Sequence, residues 1–318
     1  MKNIYLNIYK SNSINLEKTK KYVENNNVIG LPTETVYGLA ANAYSDKAVK
    51  KIFKLKKRPT FNPLIIHFKN LKDLKKDAIC NDSFMKLYKV LCPGPITFIL
   101  KKTTKSKISK IANAGKKTIA ARFPKHKVAR NLLKILNIPL AAPSANISSK
   151  LSPTCASDVV DEFGSKIKFI LDGGQCKIGL ESTIIDLTNK PTILRQGIIT
   201  TEKISKILRK KVTVNKKPKT IKGPGQLELH YSPGIPISMN KMYPKKNEAF
   251  ITFGKKFKST KNHFNLSKND SLQEAANNLY KIMRKIKKSN FKSIIVCKIP
   301  NIGIGRAIND RLKKASYK

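Results

Sequence analysis

Lys56-Lys57-Arg58-Pro59-Thr60-Phe61-Asn62-Pro63-Leu64-Ile65-Ile66-His67 joins a helical pattern to a strand pattern. Upstream, residues 45–56 space Ala48, Ile52, Phe53 and Leu55 along one helical face behind a capping Ser45. Downstream, residues 64–68 form a short apolar run of the kind that makes a buried strand. Two prolines flank the amide of Asn62, so φ is locked on both sides of it. Cations on a short stiff loop entering a buried strand suit the holding of a polyphosphate. A solvated surface loop needs no such restraint.

Outward from this loop, residues 1–205 read as one α/β domain. Helices are expected at 15–26, 45–56 and 126–137, and strands at 28–31, 64–68, 96–100, 118–121, 169–171, 183–187 and 192–194. Strands outnumber helices, which predicts a mixed, strongly twisted sheet rather than a strict doubly wound one. From 206 to 222 the chain turns lysine-rich and loses its apolar period, marking a linker. The linker, 206–235, carries His230 and Tyr231 between Gly223-Pro224-Gly225 and Ser232-Pro233-Gly234. Residues 236–318 read as a second, smaller α/β unit, with strands at 249–253 and 293–297 and helices at 271–288 and 305–315.

The chain has 318 residues, 40% of them hydrophobic, which suits a soluble globular protein of two domains. No apolar run reaches the roughly 18 to 20 residues that span a bilayer, so no membrane partner is expected. Met1-Lys2-Asn3-Ile4-Tyr5 lacks the pattern of a secretion signal. The five cysteines are scattered and form no Cys-x-x-Cys pair, which argues against a disulfide frame or thiolate zinc site. A cytoplasmic location follows as the expectation. The net charge of +46 has two open readings. It attracts polyanions such as tRNA or double-stranded RNA. It is also mostly lysine spread along the chain, beside abundant Asn and Ile, as AT-rich codons alone would produce.

Walker and Rossmann glycine motifs, HExxH and a Gly-x-Ser-x-Gly elbow are all missing. Any nucleotide site must therefore converge from several loops. The candidates stand at strand ends, where open α/β sheets bind ligands. They are Leu31 to Gly38, Ala141-Ala142-Pro143-Ser144-Ala145-Asn146, Glu181-Ser182-Thr183 and Arg195-Gln196-Gly197. A hydroxyl at a strand end is by itself a turn or cap residue. Arg122, behind Ile119-Ala120-Ala121, is a ligand clamp or a surface ion pair; His67 is a substrate contact or a satisfied core histidine.

Taken together, these loops resemble the threonylcarbamoyl-adenylate synthases in order and spacing, in their two-domain form. The resemblance rests on Glu34-Thr35-Val36-Tyr37-Gly38-Leu39-Ala40, Lys56-x-Arg58-Pro59, Asn62-Pro63-Leu64, Pro93-Gly94-Pro95 and Ser144-Ala145-Asn146. Ser152-Pro153-Thr154, Glu181-Ser182-Thr183-x-x-Asp186 and Arg195-x-Gly197 extend it. Pro224-Gly225, His230-Tyr231-x-Pro233 and Ala307-Ile308-Asn309-Asp310-Arg311-Leu312 mark the longer form.

The resemblance implies a YrdC-like twisted α/β catalytic domain with a basic cavity, followed by a small Rossmann-like unit. It implies a nucleotidyltransferase: the amine of L-threonine takes up bicarbonate or CO2, and the carbamate oxygen attacks the α-phosphorus of ATP. Pyrophosphate leaves and threonylcarbamoyl-AMP forms. A downstream tRNA threonylcarbamoyltransferase then moves the group to the adenosine beside the anticodon. By the same resemblance, Thr35, His67, Arg122, Ala142 and Ser182 hold threonine, with Arg122 on its carboxylate. Arg58, Asn62, Thr118, Ser144, Ser152, Arg195 and Tyr231 contact ATP. Lys56 faces phosphate, so Lys56, Arg58 and His67 form the catalytic set. Mg2+ rides on the polyphosphate, since no carboxylate cage is evident.

Attack at phosphorus needs positioning and charge neutralisation more than a protein nucleophile. A carbamate and a mixed anhydride both need protection from water, which makes the Tyr231 linker an expected lid. Two departures from the family pattern stand out: Gln226-Leu227-Glu228-Leu229 replaces basic or aromatic residues, and a glycine is missing near Ser149. Neither falls on an expected contact, so an active enzyme is expected. The competing readings are an RNA-binding module without catalysis and a carbamoyltransferase domain of hydrogenase maturation. The second usually carries acylphosphatase and zinc-finger segments, which are missing here.

Overall fold

Ser45 accepts a hydrogen bond from the Ala48 amide (3.2 Å) and opens the helix Asp46–Lys56, whose Ala48, Val49, Ile52 and Phe53 are buried. Lys57 closes it in the left-handed region. The computed structural model describes residues 6–215, 221–226, 229–257 and 260–317. The N-terminal run 1–5, residues 216–220 of the expected linker, and Leu227 and Glu228 of the departing run lie outside them.

Among the described residues eleven strands lie side by side in one sheet. Across it they run Ile8–Lys10, Ile170–Asp172, Ile29–Leu31, Gly38–Asn42, Leu140–Ala141, Ile65–His67, Thr118–Arg122, Ile96–Lys101, Thr183–Asp186, Thr192–Arg195 and Thr213–Val214. Parallel and antiparallel pairs are mixed along it, so the expected mixed sheet is present. Helices cover both faces near one edge. Leu132, Leu133 and Leu136 of Lys127–Leu136 pack on Ile29 and Leu31, while Ile52, Phe84, Val159 and Ile204 pack on the opposite side.

Gly38–Asn42 differs from the expectation. Of it the sequence pattern places only Gly38, at the end of the loop Leu31 to Gly38, and predicts no strand over 38–42, yet it is a central strand paired on both sides. Gly and Ala carry little strand signal of their own, and Gly38 suits the close approach of the Pro143 carbonyl, 3.2 Å from where a Cβ would sit. The lysine-rich stretch after 205 differs too. The helix Thr201–Leu208 crosses that position, buries Ile204 and Leu208, and leads to Thr213–Val214, which pairs with Thr192–Arg195. Its apolar residues follow a helical period that the intervening lysines hide.

The second unit is a four-stranded parallel sheet in the order Ile237–Met239, Ser293–Val296, Glu248–Thr252, His263–Asn265. The helices Leu272–Lys287 and Gly305–Ala315 cover it. Its core takes in Val36, Leu151, Leu180 and Tyr231, residues that precede the second unit in sequence. The two units share that apolar seam.

Candidate active site

Successive side chains of a strand point to opposite faces, and the two faces of the central strands have different company. Ile66, Ala121, Phe98 and Ile185 point into the main core. Ile65, Ala120, Ile99, Ile184 and Leu194 form a separate apolar floor on the other face. The same alternation carries His67, Arg122 and Thr97 to one end of that floor, in mutual register. A register shift between Ile193 and Arg195, the mark of a β-bulge, sets Arg195 opposite Ile184 on the same side. Here a pocket opens. The sheet contributes Ile65, His67, Arg122 and Arg195, and the strand-end loops contribute Thr33, Val36, Gly38, Ala142, Pro143, Ser144 and Glu181. Arg58 stands to one side, and Pro224, His230 and Tyr231 of the linker close it.

One half of the pocket is built around Arg122. Its Nη2 donates to Glu34 Oε1 and to Thr35 Oγ1, both at 2.8 Å, and Glu34 Oε2 accepts from the Lys125 amide at 2.9 Å. Burial would raise the pKa of Glu34, but Arg122 outweighs it and holds the carboxyl below its usual range. Arg122 Nε and both ring nitrogens of His67 are buried without a partner. Burial, with Arg122 beside it, pushes His67 well below an ordinary imidazole, so the ring is neutral at neutral pH.

The other half holds two more guanidiniums. Arg58 donates from Nε to Asn62 O (2.9 Å) and from Nη2 to Asn62 Oδ1 (2.7 Å) and Pro63 O (2.9 Å). The stiff loop thus folds around its own arginine, and the Asn62 carbonyl oxygen is committed to it. Burial and the nearby Arg195 lower Arg58 to about 9, so it remains a cation at neutral pH. Arg195 donates from Nε to Ser182 O (3.0 Å) and from Nη2 to Ser182 Oγ (3.1 Å). Tyr231, with φ +63, is 1% exposed and its hydroxyl has no partner. Gly225 makes room for it: a Cβ there would lie 2.7 Å from the Tyr231 hydroxyl and 2.8 Å from Arg195 Cδ.

The remaining expected residues stand behind this surface. Thr35 and Ser182 brace Arg122 and Arg195 from outside the lining. Ser152 donates its hydroxyl to Glu181 at 2.5 Å and is fully buried. Thr118 starts its strand two residues before Ala120, the partner of Ile65, at the opposite end of the strand from Arg122 and outside the lining. Lys56 differs from the expectation that it faces phosphate. Its Nζ donates to the carbonyls of Ser144 and Asn146, both at 2.5 Å, which fixes the Ser-Ala-Asn loop instead. At 1% exposure its ammonium needs those carbonyls, and burial lowers its pKa well below that of an ordinary lysine.

Three residues quoted in the motifs without a role are part of the site: Glu34, Glu181 and Arg311. Glu181 lines the pocket and pairs with Arg311 of the terminal helix at 2.9 Å. In a chain with 19 acidic against 65 basic residues, two acids each placed beside hydroxyl residues at strand ends were a usable signal.

A family model described as "Telomere recombination" matches residues 21–197, and one described as "Threonylcarbamoyl-AMP synthase, C-terminal domain" matches residues 199–316. The threonylcarbamoyl-AMP synthase of Pyrococcus abyssi is 36% identical over 316 residues, 93% of this chain and 92% of that one. The chain belongs to the threonylcarbamoyl-AMP synthase family. The threonylcarbamoyl-AMP synthase of Bacillus subtilis is 32% identical over 329 residues, covering 96% and 94%. The crystal structure of P. abyssi Sua5 complexed with L-threonine superposes with a TM-score of 0.89 at 32% identity, covering 97% of each chain. Membership in a threonylcarbamoyl-AMP synthase family favours a catalyst over an RNA-binding module without catalysis. The arrangement of charges agrees with that: three arginines and a single carboxylate line the pocket.

Proposed function

We infer that this chain forms L-threonylcarbamoyl-AMP and pyrophosphate from L-threonine, bicarbonate or CO2, and ATP. One observation carries the reading: three buried arginines line one pocket, Arg122 braced by Glu34 and Thr35, and Arg58 and Arg195 with no carboxylate among the described residues hydrogen-bonded to them. An amino acid and a polyphosphate are the ligands whose charges match those cations.

In this reading the threonine carboxylate takes the unpartnered Nε edge of Arg122, and the amine reaches His67. A neutral imidazole of depressed pKa is a poor acceptor of an ammonium proton. His67 therefore serves as a hydrogen-bond partner to the amine and carbamate. Arg58 and Arg195 take the phosphates and neutralise charge as pyrophosphate departs. Ser152, buried behind the lining with its proton given to Glu181, supports the nucleotide half through that carboxylate.

Among the described residues no cluster of three or more His, Cys, Asp or Glu could hold a metal ion. Of the two carboxylates at the pocket, Glu34 is tied to Arg122 and Glu181 to Arg311. Mg2+ accordingly enters with ATP, held by its phosphates. Tyr231 and His230 cover the pocket, so the linker acts as a lid that opens for substrate and keeps water from the carbamate. We place the reaction in the cytoplasm, a reading supported by five free cysteines. The product, an activated anhydride, calls for a downstream tRNA threonylcarbamoyltransferase, and the +46 charge favours encounter with tRNA or double-stranded RNA at low salt.

The test is pyrophosphate release from ATP and bicarbonate, with and without L-threonine. Threonine-dependent release is expected. No release, or release indifferent to threonine, would overturn the reading.

A further inference from the structure

Arg311 is the largest fully buried side chain of the described residues, and it reaches out of the second unit into the first. Its Nε donates to Glu181 Oε2 at 2.9 Å, its Nη2 to the Gln196 carbonyl at 3.0 Å and its Nη1 to Asp310 at 2.6 Å. The guanidinium carbon lies 4.9 Å from the centre of the Tyr231 ring, a cation–π contact. Glu181 also accepts from the Tyr280 hydroxyl, 3.1 Å from each carboxylate oxygen.

A bond that merely joins two domains has no need to sit at the pocket. The joint has other fastenings: Arg284 to the Leu151 carbonyl (2.8 Å), Asn277 to the Lys177 carbonyl (2.7 Å) and Lys288 to Asp161 (2.7 Å). Glu181 is instead the one carboxylate lining the pocket, and the charge of Arg195 is felt at it. A buried carboxylate seeks the nearest unspent cation. With Arg311 present, Glu181 is satisfied from behind and Arg195 keeps its charge for a ligand.

We propose that Arg311 is a positioning residue of the nucleotide half of the site: by holding Glu181 and the Tyr231 ring, it keeps Arg195 free for the phosphates of ATP. The second unit thereby sets the charge presented inside the first. The proposal rests on the function inferred above for this pocket.

The test measures ATP affinity of the full chain by calorimetry, with steady-state turnover and melting temperature alongside. In Arg311→Met, Glu181 turns to Arg195, and ATP affinity falls by about tenfold or more while KM for threonine stays within about twofold. Adding Glu181→Gln to that variant frees Arg195 and recovers at least about threefold. A role confined to joining the domains predicts no such recovery. ATP affinity of folded Arg311→Met within twofold of wild type overturns the proposal, and so does a double variant no better than the single one. Should Arg311→Met fail to fold, Tyr280→Phe decides. It strips one donor from Glu181, and an affinity about threefold lower supports the proposal while an unchanged one overturns it. Wild-type turnover without threonine dependence would sink the functional reading instead, and the ATP titrations would still judge Arg311.

Discussion

Glu34 and Arg122, brought together from 88 residues apart, meet at 2.8 Å, and that contact orients the guanidinium. With Nη2 spent on Glu34 and Thr35, the unpartnered Nε is the edge left for a ligand carboxylate. Arg122→Ala should raise KM for threonine by roughly 30-fold or more, with ATP affinity within about threefold. Glu34→Gln keeps the shape but loosens the brace, and a smaller rise, about tenfold, is expected. Steady-state kinetics with threonine varied at saturating ATP checks both; equal losses for the two substrates would refute the assignment.

The Glu181 carboxyl makes stability depend on pH. Burial alone would raise its pKa, but Arg311 and Arg195 outweigh that and hold it at about 2. A carboxyl depressed in the folded state stabilises the fold above its unfolded pKa, near 4.5. That contribution drains away as pH falls toward about 2. Wild type should therefore exceed Glu181→Gln in unfolding free energy by an amount of order 3 kcal/mol at pH 7. The gap should hold down to about pH 5 and shrink by pH 3. Denaturant titrations at the three pH values measure it, and a gap that widens on acidification would contradict the charge assignment.

Ser149 stands at φ +69, where L side chains are strained, and its carbonyl accepts the Ser232 amide at 2.7 Å. The missing glycine therefore has a cost. Ser149→Gly should stabilise the protein by about 1 kcal/mol, net of its added unfolded-state entropy. A thermal melt reads it, and a lowered melting temperature would show that the loop is not strained.

Gly225, at φ +79, tests the lid. A methyl there meets both the Tyr231 hydroxyl and Arg195. Gly225→Ala should lower the melting temperature, since φ there is strained for alanine, and cut kcat/KM for ATP by about tenfold or more. Unchanged kinetics would mean that Tyr231 does not close over the nucleotide.

Legibility in the sequence followed the range of the interaction. The cap at Ser45 and the helices expected at 271–288 and 305–315 were readable because a helix start and its apolar stripe are local. The strand Gly38–Asn42 was not, because Gly and Ala become strand residues only between neighbours that bury them. Ile237–Met239 and His263–Asn265, three residues each, are too short to show a period, and their partners supply their structure. The candidate site divides the same way. Arg58, His67, Arg122, Ala142, Ser144, Arg195 and Tyr231 were named from motif order, and all line one pocket. Lys56 was misread because nothing local says that an ammonium will be enclosed beneath the loop it supports.

The sequence by itself determined the ordered set of strand-end loops, the two α/β units and a family membership carried by residue types at fixed spacing. Those are properties of neighbours along the chain, where steric preference and periodicity act. Tertiary structure alone decided which cations stay free for a ligand. Arg122 is braced by Glu34, Arg195 by Ser182, and Glu181 is claimed by Arg311 from 130 residues away. Charge pairing inside a protein depends on distance and burial, and neither can be read from position along the chain.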